Sequence, residues 1–97
     1  MIEHMVLFKV KPEATPADAA TMIQELRKLK GRIPEIQELT CGANTSTRNQ
    51  GFTHGLLVRV RSPKDLETYI AHPEHQRVVA QHVRPILESV IVVDYEP

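Results

Sequence analysis

The chain has 97 residues, with twelve Lys and Arg against twelve Asp and Glu, so it is the size of one domain (1–97) and carries no formal net charge. The two signs are interspersed, and without a basic stripe to neutralise phosphates nucleic acid is not an expected partner. A single cysteine, Cys41, excludes an internal disulfide and a CxxC zinc site; Glu3 and His4 interrupt what would be the apolar core of a signal peptide, and no apolar run approaches the roughly 20 residues that span a bilayer, so the expected setting is the cytoplasm with no membrane partner. IEHMVLFKVK then reads as a strand, with Ile2, His4, Val6, Phe8 and Val10 on one face and Glu3, Met5, Leu7 and Lys9 on the other. TPAD opens a helix over about 16–30: Thr15 caps, Pro16 takes the first helical position, and Ala19, Met22, Ile23, Leu26 and Leu29 form one stripe. Gly31 is the expected left-handed stop.

IPEIQELTCG reads as a more polar strand at a sheet edge, and GANTSTRNQG as a loop. FTHGLLVRVR is the second strongly apolar strand, with His54, Leu56, Val58 and Val60 on one face and Gly55, Leu57 and Arg59 on the other. SPKD starts a helix that runs to about Ala71, because Pro73 drives His72 out of the helical region. Pro73 opens a further helix, with Val78, Val79, Val83, Ile86 and Leu87 facing inward until Pro85 weakens it. ESVIVVDYEP closes the chain as a strand that is apolar on both sides.

The order strand, helix, strand, strand, helix, strand is that of an α+β, ferredoxin-like βαββαβ fold with a four-stranded antiparallel sheet. Two helices cover one face only, yet Met5, Leu7, Leu57, Ile91 and Val93 point away from the face that bears Phe8, Leu56 and Val58. A second copy pressed sheet to sheet would bury that row, so a homodimer closed as an α/β barrel is expected.

Four groups are candidates for chemistry: Tyr69 and His75, which flank the break at Pro73, and His4 and His54, which sit on apolar strand faces. An imidazole that titrates near pH 6.5 can take a proton, and a phenol can donate to an oxyanion, so one pocket holding both would be an acid–base site for a small molecule. Six residues of regular helix would splay Tyr69 and His75 by more than about a hundred degrees, so the break is needed to bring them together. His72 is a candidate for the same pocket, with a cap or turn role as the alternative. For His4, His54 and Tyr69 the alternative is a satisfied core position. The first and third strands should run antiparallel, which starts His4 and His54 at opposite ends. HPEH places two imidazoles three apart, but the proline breaks the one-faced helical geometry of an HExxH site, so no metal is expected. With no GxGxxG, no P-loop and no Trp, no cofactor is expected either.

HMVLFKVK, GFTHGLLVRV, DLETYIAHPEHQRVV and VIVVDYEP together resemble the stress-responsive A/B barrel domain along nearly the whole chain. The resemblance implies a ferredoxin-like monomer that pairs into a dimeric α+β barrel. The family includes plant stress-associated proteins that form stable assemblies, and a plant polyketide cyclase that performs a cofactor-free aldol condensation. Carried over from that cyclase, the resemblance implies His75 as catalytic base, Tyr69 as its partner and carbonyl-polarising donor, and His54 and His4 as pocket residues. The cyclase has a further pocket tyrosine on its first helix, where QELRKL here offers Leu26 and no tyrosine. The main functional expectation is therefore cyclase- or lyase-type acid–base chemistry. Its rivals are a stress-protective structural homo-oligomer and a monooxygenase of the wider dimeric-barrel superfamily, the latter disfavoured by the lack of Trp.

Overall fold

Strand β1 (Ile2–Val10) is the inner strand about which the sheet is assembled in the computed structural model, which describes residues 1–97. It pairs antiparallel with β3 (His54–Val60) on one side and with β4 (Leu87–Tyr95) on the other. Strand β2 (Glu38–Ala43) adds to the outer side of β3, giving the order β2-β3-β1-β4 of a ferredoxin-like sheet. The polar strand is thus at one edge, as its sequence requires, and the most apolar strand is at the other.

Helix α1 (Pro16–Lys28) begins with a reciprocal cap: the Asp18 N–H donates to Thr15 Oγ1 and the Thr15 N–H to Asp18 Oδ2, both at 3.1 Å. Met22, Leu26 and Leu29 are fully buried on the stripe predicted from their spacing. The helix does not end on a left-handed glycine. Leu29–Gly31 tightens into a 3-10 turn, whose end is capped by the Arg32 N–H donating to the Leu29 carbonyl. The left-handed residues are Gln50 (φ 50°) and Gly51 (φ 86°), in the loop between β2 and β3.

Strand β2 starts later than its sequence suggests. Ile33 and Ile36 are both buried and three residues apart, a spacing that a turn satisfies and a strand does not; the Ile36 N–H donates to the Ile33 carbonyl at 3.2 Å. Helix α2 (Pro63–Ala71) starts on Ser62, whose Oγ accepts the Asp65 N–H, and ends at His72, whose backbone is extended (φ −60°, ψ 136°) because Pro73 follows. Helix α3 (Pro73–Val78) is short and passes into a π turn, Val79–Val83, and then a 3-10 turn, Arg84–Ile86. Pro85 has no N–H to continue an α ladder, and the Arg84 N–H reaches back five residues to Val79.

The helices pack on the sheet face that carries Val6, Phe8, Leu56, Val58 and Val60, all buried. The register puts Met5 between Leu57 and Val93, and Leu7 between Gly55 and Ile91, on the opposite face, which no helix covers. Glu3 also lies on that face. Its carboxylate is buried, Oε1 accepts from Arg59 Nε at 2.6 Å, and Oε2 has no partner.

Candidate functional site

The helix break creates the site. In an unbroken helix the Ile70 carbonyl would accept the Glu74 N–H four residues on. Here the Glu74 N–H donates to His72 Nδ1 at 3.1 Å, and the freed Ile70 carbonyl accepts from His75 Nδ1 at 2.9 Å. A carbonyl can only accept, so Nδ1 carries the hydrogen in neutral His75 and Nε2 is left with a lone pair. The same turn brings the His75 ring to 4.6 Å from the Tyr69 ring, centroid to centroid, and the His4 ring stands edge-on to Tyr69 at 5.9 Å.

These three rings line a cleft of about 320 Å³ between helices and sheet. Its floor is Val6, Phe8 and Leu56, the π turn contributes Val79 and Val83, and β4 contributes Val90, Val92 and Asp94. The register pairs His4 with Asp94 at one end and Phe8 with Val90 at the other, so the cleft is polar at one end and apolar over the next ~13 Å of strand. His4 Nδ1 lies 2.5 Å from Asp94 Oδ1. A carboxylate oxygen accepts, so Nδ1 donates and the His4 Nε2 edge is held in a fixed direction.

Burial pushes the Tyr69 phenol well above its usual range, so it is a donor and not an anion; its hydroxyl is buried and has no hydrogen-bond partner. Burial, partly offset by the bond to Ile70 and assisted by His4 and His72, holds His75 below the ordinary histidine value. Near neutral pH the ring is therefore a base and not a cation. Burial also raises the Cys41 thiol, which leaves it an inert core residue.

Of the expected pocket residues, Tyr69, His75 and His4 meet in the cleft, and His54 does not. His54 pairs with Phe8, four residues along β1 from His4, and its Nδ1 is bonded to Thr53 Oγ1 at 2.8 Å. It borders a shallower depression of about 540 Å³ beside the β2–β3 loop. His72 is not among the cleft residues; its ring caps α3. His72→Ala should therefore cost about 0.5–2 kcal/mol of stability, read by urea unfolding, with a smaller effect on ligand binding than His75→Ala. Asp94 is a cleft residue that the sequence alone does not single out. Its signal is parity: it shares a face with Val90 and Val92 and is the acid that an antiparallel β4 sets against His4.

His54 and His75 are both held below the ordinary histidine value, chiefly by burial, so the folded chain binds fewer protons than the unfolded one as pH falls. Stability should hold above about pH 6.5 and decline below it, down to the folded-state values. Urea midpoints across that window test this, and His54→Gln should flatten the decline.

Fold and cleft together define a ferredoxin-like α+β domain with one sheet face left open. Residues 2–97 match the family model of the Stress responsive A/B Barrel Domain, and the chain belongs to that family. It is 37% identical over 95 residues to a stress-response A/B barrel domain-containing protein of Arabidopsis thaliana, covering 98% of this chain and 36% of the relative. The chain thus spans about a third of that protein's length. It is 26% identical to olivetolic acid cyclase of Cannabis sativa, over 99% of this chain and 96% of the cyclase. A crystal structure of an Arabidopsis thaliana protein superposes with a TM-score of 0.89 at 28% identity, covering 100% and 95% of the two chains. A dimeric ferredoxin-like protein from Thermobifida fusca superposes at 0.88 with 24% identity, covering 99% and 90%. No helix of the chain is long and apolar enough to cross a membrane.

Proposed function

We propose that the chain acts as a homodimer in which each copy binds a small carbonyl compound in the cleft of Tyr69 and His75 and promotes proton transfer at the carbon beside the carbonyl. The observation that carries this reading is the Ile70–His75 hydrogen bond, which leaves a neutral imidazole with a free Nε2 next to an unpaired phenol. His75 takes a proton from that carbon, and the C–H electrons pass to the carbonyl oxygen, which accepts a hydrogen bond from Tyr69. The resulting enolate either is reprotonated or adds to a second carbonyl of the same molecule; in the second case the new alkoxide takes the proton back from His75. That closes a ring with no cofactor. Similarity to a cyclase over nearly both full lengths supports the same chemistry, and the apolar length of the cleft favours a substrate with an apolar tail.

Dimerisation is supported by the uncovered row of Met5, Leu7, Leu57, Ile91 and Val93, and by relatives of the same fold described as dimeric. Four strands ~4.8 Å apart give a face roughly 20 Å wide, enough for a sheet-to-sheet interface.

Benzylacetone, a methyl ketone with an apolar tail, tests the site: it should shift the His75 ring signals in NMR. The full burial of Tyr69 favours one rival, a protective assembly whose histidines are interior groups. In that case the ring signals stay in place while the dimer persists, and the functional reading is wrong.

A further inference from the structure

Strand β4 has two duties. Val90, Val92 and Asp94 form one wall of the cleft, and the alternating Ile91, Val93 and Tyr95 point to the opposite, uncovered face of the sheet. The strand is an edge, hydrogen-bonded within the sheet to β1 alone. Its side chains are exposed on both faces: Val90 44%, Val92 51%, Ile91 43% and Val93 46%. An edge strand is held by hydrogen bonds from one side only, and a segment with exposed side chains and few buried contacts belongs to the low-stability end of a fold. The other walls are firmer, since Tyr69 and Leu26 are fully buried and Phe8 and Leu56 nearly so.

We infer that a second copy of this chain is a structural part of each cleft: by packing on Ile91 and Val93 it holds β4 in place, and association and ligand binding strengthen one another through that strand. The inference rests on the dimer reading above and adds a coupling to it. A ligand seated against Val90 and Val92 orders β4 from the helix side, and the partner orders it from the other. Because both bind the same ordered state of the strand, each must tighten the other by the same factor. Asp94 rides on this strand, so β4 disorder also removes the group that orients His4.

The test uses the whole chain. Dimer dissociation is followed by sedimentation, with and without benzylacetone, and amide hydrogen exchange is read on wild type diluted through dissociation and on Leu57→Asp. Leu57 lies on β3, separated from β4 by β1, and does not line the cleft. In the monomer the β4 amides bonded to β1 should exchange roughly ten-fold faster or more, while those of Met22 and Leu26 in α1 change little. Benzylacetone should tighten the dimer by about five-fold or more, within the usual range of coupling between sites. Equal loss of protection in β4 and α1, or no change in β4, overturns the coupling, as does a dissociation constant that ignores benzylacetone while the His75 signals report an occupied cleft. A wild type that is monomeric at every concentration overturns the dimer reading and this inference together. If Leu57→Asp does not fold, the wild-type dilution decides alone.

Discussion

His75→Ala should slow the exchange of deuterium from solvent into the methyl and methylene groups beside the benzylacetone carbonyl by roughly a hundred- to ten-thousand-fold near neutral pH, the usual worth of a positioned general base. The magnitude follows from the geometry. The Ile70 carbonyl spends the Nδ1 hydrogen of His75, burial keeps the ring uncharged, and removal of the imidazole leaves a high-pKa phenol, apolar side chains and, as the one other imidazole of the cleft, His4 bonded to Asp94. Exchange measured by NMR on wild type should fall on the acid side, with its midpoint below about pH 6.5, because the folded pKa lies under the usual histidine value. An alanine variant that binds benzylacetone and exchanges it as fast as wild type would remove His75 from the chemistry.

Tyr69→Phe should part stability from activity. In the free chain the hydroxyl is buried with no acceptor, a situation that costs about 1–3 kcal/mol. Its removal leaves the ring packing against His75 and His4 intact, so the melting temperature should stay level or rise. Proton exchange into benzylacetone should nonetheless fall by roughly a hundred-fold or more, because the enolate oxygen loses its donor. A purely structural tyrosine predicts the same level or raised melting temperature with unaffected exchange, so the exchange rate measured on the folded variant separates the two outcomes.

The sheet is legible in residue alternation because its two faces differ so clearly: Phe8, Leu56 and Val58 on one side, Met5, Leu7 and Leu57 on the other. The Tyr69–His75 meeting is legible in Pro73, whose effect on the preceding residue is local and strong. Other features depend on register, which a single sequence does not display. His4 and His54 share a face by parity, and the antiparallel run expected of their strands already starts them at opposite ends; what the register adds is that His54 lies opposite Phe8, away from the cleft. The β1–β4 pairing brings Asp94 to His4 across ninety residues of chain, and nothing near either residue announces it. Gly31 misleads for a different reason: a glycine after a helix permits a left-handed cap but does not compel one, and here a 3-10 turn closes the end first.

The π turn at Val79–Val83 has a consequence for how this wall tolerates a change in chain length. Such a turn accommodates one residue beyond the α-helical spacing. Excising Ala80 should let the ladder close as an ordinary helix with Val83 still at the wall, because the residues on either side of the turn are already in register; the same deletion from a regular helix would rotate everything after it by about 100°. Loss of a single codon here is thus absorbed where it occurs, decoupled from the sheet and from the residues that move protons.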